Sequence, residues 1–519
     1  VAIRPPGFFC SSIEVRFWLF GAARRRILVV MQVAANIDND VFERARLSRD
    51  ARFDGHFFIG VKTTGIYCRP ICPANLPKSE NVDFFPSAAA AHEAGFRPCL
   101  RCRPECAPGT PAWAGTSTTV LRGLRLIAEG ALDEGNVESL AERLGVTSRH
   151  LRRLFARHVG ASPLAVAHTQ RLHFAKRLID QTSLLMKDIA TAAGFGSVRR
   201  FNDTFRQTYG RAPRELRRGG EQERLPGSLT LLLPYREPYG WDRQLGFFAA
   251  RATPGVERVS EGCYQRSVSV GGSSGVISVR DLGGTLSLSV SGIETASLFT
   301  IAQRVRSMFD VDAPIDDIEA VLRRDPQLRI GLRANRGIRV PGAWDGWELT
   351  VRAVLGQQVS VKAATTFAGR IAERYGEELP GDDLPDGPWR LFPGPDRLAR
   401  ARLERLGVIG SRAQTIRDLA RAVMRNDVHF DAGQTIEEFC AALTAVRGIG
   451  DWTAEYVAMR ALKNPDAFPA ADLGLLRAFD DTEGRRLRPA ELQERSQRWR
   501  PWRAYAALLI WSSDSGAGG

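Results

Sequence analysis

Two close cysteine pairs, Cys68 with Cys72 and Cys99 with Cys102, constrain this 519-residue chain more than any other feature. Three residues separate the first pair and two the second. A tight turn brings both sulfurs of such a pair onto one tetrahedral ion, so the spacing predicts a single zinc bound by four cysteines. The pairs stand in TTGIYCRPIC and GFRPCLRC, with arginine beside the thiols in both. A purely structural zinc knuckle does not need that charge, whereas a reactive thiolate, or one that must meet a phosphate, can use it. The residues alone leave two roles open: a metal that only holds a fold, or one that also holds a nucleophile.

Three or four domains are the expectation for this length. The 44% hydrophobic and 25% charged composition is that of a soluble globular chain. A net charge of +14 points to an anionic partner, nucleic acid or a membrane surface. Residues 116–220 carry eighteen Lys and Arg against nine Asp and Glu, while residues 221–519 balance. The phosphate footprint therefore belongs to the second quarter of the chain. No apolar run approaches the roughly 20 residues of a membrane helix, so no membrane partner is expected. Near the N-terminus, Arg24, Arg25 and Arg26 split two short apolar patches, unlike a secretory signal. Residues 1–31 read as an upstream or disordered extension, with Met31 an initiator. Reduced zinc thiolates fit the cytoplasm.

The chain divides by composition. Residues 32–110 mix short β-like pieces with a helical run. Residues 117–219 read as amphipathic helices broken by single glycines. A linker over 220–228 follows, then alternating strands within 229–300. Helical periodicity dominates 301–515. The fold class expected is multidomain and predominantly α: a small α+β zinc domain built on the four cysteines, an all-α double helix-turn-helix, and an α+β subdomain leading into an all-α domain.

In ESLAERLGVTSRHLRRLFARHVG a helix turns at Gly145 into a second helix capped by Thr147 or Ser148. The pattern recurs as MKDIATAAGFGSVRRFNDTFRQTYG, turning at Gly194. Arg149, Arg152 and Arg153 decorate one projecting helix, and Arg199, Arg200 and Asn202 the other. This region resembles the AraC-type DNA-binding domain, carrying its signature at Gly194, Phe195, Ser197, Arg200, Phe201, Asn202, Thr204, Phe205, Gly210 and Pro213. The resemblance implies two recognition helices in successive major grooves of one duplex.

Near the C-terminus, Gly448 and Gly450 flank Ile449 between two helical patterns, and Asp472 follows at the start of another helix. A Gly-x-Gly hairpin exposes backbone amides at a helix N-terminus, suited to a DNA phosphate. At a helix start, Asp472 reads as an N-cap, held ionised by the helix dipole. With GWDRQLGFFAARA, RAVLGQQVSVKAA and WRPWRAYAALLIW, this constellation makes residues 230–515 resemble an AlkA-type DNA-3-methyladenine glycosylase II, a TBP-like subdomain followed by a helix-hairpin-helix domain. The resemblance makes Asp472 catalytic and puts Phe247, Trp452, Tyr456 and Trp511 in a base pocket. Gln357, Gln358, Gly448 and Gly450 become DNA contacts. Trp452 stands where lyase-type relatives carry a Schiff-base lysine, and no cysteine follows Cys440. A monofunctional glycosylase with no cofactor and no iron–sulfur cluster is expected. Gln358 occupies the place of an intercalating leucine, and Leu473 that of an aromatic beside the aspartate.

Residues 40–106 resemble the N-terminal domain of the Ada protein, across RFDGHFFIGVKTTGIYCRP, ENV and GFRPCLRC. That resemblance makes Cys68, Cys72, Cys99 and Cys102 the zinc ligands and Cys68 the acceptor of methyl from a DNA methylphosphotriester. Methylation removes a negative charge, raises DNA affinity and switches on transcription. The family's Pro-Cys-His-Arg acceptor motif is absent. Cys10, Cys106, Cys263 and Cys440 are left as ordinary thiols. The expected whole is a monomeric alkylation-response protein acting on alkylated and operator DNA, with RNA polymerase as a partner. Two other readings stay open: a transcription regulator with an inactive glycosylase half, and a glycosylase whose N-terminal domains only target it to DNA.

Overall fold

The computed structural model describes residues 39–107, 118–133, 135–217, 228–379, 389–479 and 487–514. The extension at 1–31, Cys10 and, but for Ser228, the linker at 220–228 lie outside the described residues. The chain is multidomain and largely helical, with a four-stranded and a five-stranded sheet in two regions and a two-residue strand pair, Glu377–Glu378 with Arg390–Leu391, inside the helical domain. No helix among the described residues is long and apolar enough to cross a membrane.

The first region is a four-stranded sheet in the order β3-β1-β2-β4, with β1 Phe58–Val61, β2 Ile66–Cys68, β3 Val82–Phe85 and β4 Arg97–Pro98. Strand β2 delivers Cys68 at its end, and the parallel pairing of β4 with β2 brings Cys99 beside it. The short helix Ala88–Glu93 is alanine-rich, and its four alanines are buried.

Six helices follow: α1 Thr118–Ala128, α2 Val137–Arg143, α3 Ser148–His158, α4 Pro163–Gln181, α5 Met186–Ala192 and α6 Val198–Tyr209. Gly145 and Gly194 adopt φ of +68° and +71°, which a side chain would oppose at both turns. Thr147 caps α3 by accepting from the His150 amide, and Ser197 caps α6 by accepting from the Arg200 amide. The two units hang on α4, the long helix between them.

The third region is an antiparallel five-stranded sheet ordered β5-β9-β8-β7-β6 (β5 Ser228–Pro234, β6 Glu257–Ser260, β7 Cys263–Val270, β8 Ser273–Asp281, β9 Thr285–Ser291). It contains one element that strand alternation does not predict, helix α7 Trp241–Ala249. Trp241, Leu245 and Phe248 recur at spacings of four and three and bury one stripe, which is a helical period. A helical domain completes the chain. Its functional parts are α8 Gly346–Leu355, α9 Ile436–Thr444, α10 Asp451–Arg460, α11 Leu473–Arg477 and α12 Arg503–Asp514.

The hydrophobic cores do not follow the compositional modules. One cluster joins Phe58, Tyr67 and Ala91 of the cysteine region to Leu140, Leu151 and Phe155 of the first helix-turn-helix. A second joins Phe174, Ile189, Phe201 and Phe205 of the second unit to Leu231, Leu288 and Phe309 beyond it. Phe174 meets Phe299 edge-on at 5.1 Å, and the Gln181 side chain accepts from the Leu232 amide at 3.0 Å. The third cluster is the helical domain itself.

Polar contacts reinforce these junctions. From α1, Arg122 donates to the carbonyls of Ala432 and Gly433, and Arg125 to those of Leu462 and Lys463 just beyond α10. Cations at a helix C-terminus are favourably placed.

Candidate functional site

The Sγ atoms of Cys68, Cys72, Cys99 and Cys102 all lie within 4.8 Å of one another. Four thiolates so close repel strongly unless a dication lies among them, and an all-sulfur tetrahedral donor set is what zinc takes. The residues therefore fit one zinc. Cys106 is outside the cluster. Cys72, Cys99 and Cys102 are 8%, 8% and 7% exposed, whereas Cys68 is only half-buried. The set is asymmetric in access.

Two arginines near the thiols, Arg69 and Arg103, are not the free local charge their sequence positions suggest, whereas Arg101 between Cys99 and Cys102 is exposed. Arg69 donates to the Asp54 carboxylate at 2.8 Å and to the Cys102 carbonyl at 3.1 Å. Arg103 pairs with Asp180 at 2.5 Å and Glu105 at 3.4 Å. Arg69 is held within the cysteine region, while Arg103 joins that region to α4, since an ion so enclosed needs a partner. Lys176 completes the cluster with Asp180 at 2.5 Å. Tyr67, next to Cys68, shares a 2.9 Å hydrogen bond with His173 on α4. Burial holds the His173 imidazole down at about 3, with Arg177 and His92 adding to the effect.

Arg149, Arg152 and Arg153 are exposed on α3, and Arg199 and Arg200 on α6, where Asn202 is half-buried. Arg152 meets Glu138 at 2.9 Å and Arg199 meets Asp203 at 4.0 Å, exposed pairs of little strength that a phosphate can replace.

The second centre is a cavity of about 780 Å³, lined by Phe247, Trp452, Tyr456, Asp472 and Trp511 among others. Residues far apart in sequence meet there because α7, α10, α11 and α12 converge on it. Asp472 is the N-cap of α11 and accepts from the Leu475 amide through Oδ1 at 3.0 Å. Trp511 Nε1 donates to the same oxygen at 2.8 Å, and Trp452 Nε1 to Oδ2 at 2.7 Å. Three N–H donors thus orient one carboxylate. The Trp452 and Tyr456 rings stack at 5.3 Å with planes 9° apart.

The hairpin precedes α10. Gly448 has φ +93°, and a Cβ there would sit 2.1 Å from Thr415 Oγ1, so only glycine fits. Nothing would obstruct a Cβ on Gly450, the N-cap of α10, so packing within the chain does not demand glycine there. Gln357 donates to the Gly448 carbonyl at 3.1 Å and to Thr453 Oγ1 at 3.2 Å, tying its loop to the hairpin. Gln358 is exposed with φ +55°, a conformation uncommon outside glycine.

Sequence reasoning missed Arg251 and Arg460, which also line the cavity. Each stands four residues after an expected aromatic, Phe247 and Tyr456, and that one-turn spacing is the signal that could have found them.

Four family models match the chain in succession: the metal binding domain of Ada over residues 42–105, a helix-turn-helix domain over 140–219, the AlkA N-terminal domain over 230–345, and the HhH-GPD superfamily base excision DNA repair protein over 351–504. A Mycobacterium tuberculosis protein named "Probable bifunctional transcriptional activator/DNA repair enzyme AlkA" is 41% identical over 92% of this chain and 97% of its own length. The Escherichia coli DNA-3-methyladenine glycosylase 2 is 35% identical over 54% of this chain and 96% of its own. The Bacillus subtilis bifunctional transcriptional activator/DNA repair enzyme AdaA is 32% identical over 35% of this chain and 83% of its own.

Proposed function

Because the chain belongs to the family of AlkA bifunctional transcriptional activator/DNA repair enzymes, we propose that it unites two alkylation repairs with one transcriptional switch. The glycosylase half hydrolyses the N-glycosidic bond of alkylated purines such as 3-methyladenine and has no lyase activity. The observation that carries this reading is the Asp472 carboxylate, held by two indole N–H groups in the cavity that Phe247 and Tyr456 also line.

Alkylation leaves the base cationic. As the C1′–N bond breaks, its electron pair leaves with the base and neutralises it, and positive charge appears on the sugar. Asp472 stabilises that charge electrostatically. With both oxygens already accepting N–H donors, its charge contributes more than its basicity. Water then bonds to C1′ and gives up its proton. Trp452 supplies no amine, so no Schiff base forms. The nucleotide must leave the stack to reach the cavity. Exposed and left-handed, Gln358 fits the wedge that fills the gap, with Gln357 bracing it and the Gly450 amide open to a phosphate.

In the N-terminal half, Cys68 takes the methyl of a DNA methylphosphotriester. Its sulfur bonds to the methyl carbon, the carbon–oxygen bond breaks, and the electron pair stays on the phosphate as a diester anion. Bound zinc would keep the four sulfurs as thiolates at neutral pH. The half-buried position of Cys68, against three buried partners, supports it as the acceptor. The product thioether is not cleaved again, so transfer is stoichiometric. One negative charge is lost, and DNA affinity rises. The arginines of α3 and α6 then hold operator DNA, with RNA polymerase as the partner recruited. The protein acts as a monomer in the cytoplasm.

Two measurements test this. Purified protein should release 3-methyladenine from alkylated DNA and Asp472→Asn should not. Mass spectrometry after exposure to methylated DNA should find one added methyl on Cys68, and an unmodified Cys68 would rule out the switch.

A further inference from the structure

Helix α1 belongs to the first helix-turn-helix, yet two of its arginines bond to the glycosylase half. Arg122 donates to the Gly433 carbonyl and, at 3.2 Å, to that of Ala432. Ala432 is itself buried in the core that the cysteine region shares with the first helix-turn-helix. Arg125 donates through its two terminal nitrogens to the carbonyls of Leu462 and Lys463. Another face of α1 lies on the recognition helix, where a Cβ on Gly123 would sit 3.0 Å from the Phe155 ring of α3.

Leu462 and Lys463 open the connector between α10, which carries Trp452, and the cap at Asp472. Lys463 is left-handed at φ +50°, a state that a residue with a side chain keeps only where its surroundings impose it. Its ammonium donates to the Val340 carbonyl at 2.7 Å and lies 3.4 Å from Asp310. Asp310 also accepts at 2.8 Å from the hydroxyl of Tyr505 on α12, the helix that carries Trp511. Trp452, Asp472 and Trp511 are thus all linked to one turn. The glycosylase half holds its side chain, and a guanidinium from the DNA-binding half holds its backbone.

We infer that Arg125 is a positioning residue for base excision, through which the first helix-turn-helix keeps Asp472 in register with Trp452 and Trp511. A planar fork with two donors fixes the direction of a carbonyl pair, which a single flexible ammonium does less well. A misplacement of about 1 Å far from the chemistry can cost on the order of 10²-fold in rate. The role rests on the reading of Asp472 as the glycosylase carboxylate and adds the DNA-binding half to what holds it in place. Arg122 is the internal comparison, because it reaches the loop before α9 and not the connector.

The test is single-turnover excision by the full chain on a duplex holding one 7-methylguanine, with the rate followed against protein concentration. Arg125→Met should lower the saturating rate about tenfold and leave the half-saturating concentration unchanged. Arg125→Lys should recover part of the rate, and Arg122→Met should keep all of it. An unchanged rate in Arg125→Met, a lysine variant no better than methionine, or an equal loss in Arg122→Met would overturn the role. So would a change confined to the half-saturating concentration, which would make α1 a DNA contact alone. If Arg125→Met does not fold, Arg125→Gln, which retains N–H donors, takes its place under the same criteria. Asp472→Asn run alongside should be silent. If it is not, the glycosylase reading fails, and that result is distinct from the behaviour of Arg125.

Discussion

In the proposed reactions Cys68 and Asp472 both act beside an electron-poor carbon, yet the chain holds them by opposite means. Cys68 sits among three like-charged neighbours, and only a dication makes that arrangement favourable. Asp472 sits among neutral N–H donors, which fix its orientation without a metal. The first is a local device, complete within residues 68–102 and consumed in use. The second is assembled from distant segments and regenerated at each turnover. Stoichiometric and catalytic chemistry thus match two kinds of scaffold, and the contrast can be broken at several points.

The largest effect is expected on chelating zinc. Structural zinc in small sites supplies apparent binding energies on the order of 10 kcal/mol, so the cysteine region should lose its fold and methyl uptake. Base release should persist, since no cysteine lines the cavity and α1 holds the glycosylase half through its own arginines. Loss of excision on chelation, followed by product chromatography, would show that the cysteine region itself supports the cavity.

Next is Asp472→Asn, with an expected fall in excision rate of about 10²–10³-fold and full methyl uptake at Cys68 by mass spectrometry. Trp452→Phe is smaller. It keeps a ring against Tyr456 and removes one donor to a charged acceptor, worth about 1.5–3 kcal/mol. A drop of roughly tenfold or more in single-turnover rate is expected, with little change in binding to an uncleavable duplex.

The smallest effect is pH-dependent and falls on the junction at α4. His173 has a folded pKa of about 3, against an ordinary value near 6.5. Folding therefore favours the neutral ring, and its contribution is complete above about pH 6.5. It is lost as pH falls towards 3, by roughly 1.4 kcal/mol per unit between. Melting temperature followed from pH 7 to 5 should slope less steeply in His173→Asn.

What was legible in the chain was what is local. Cysteine spacing, the glycine turns at Gly145 and Gly194, and the cap role of Asp472 each depend on a few consecutive residues. What was not legible lay in side chains choosing partners. Arg69 and Arg103 look like charge offered to a phosphate until Asp54 and Asp180 arrive beside them. Helix α7 hides among strands because nine residues with one buried stripe give a weak period, yet it carries Phe247 into the cavity.

By itself, then, the sequence determined a cluster of four cysteines, two helix-turn-helix units, a glycine hairpin and a capped aspartate, because backbone conformation and short spacings are encoded where they are used. Only the tertiary structure decided that two indoles would orient that aspartate, that Arg251 and Arg460 would line the same cavity, and that the cores would cross the module boundaries. Those outcomes depend on contacts such as Trp511 with Asp472, 39 residues apart, and Tyr67 with His173, 106 apart. Burial brings such groups together by area rather than by order along the chain, and electrostatics then selects which of them pair.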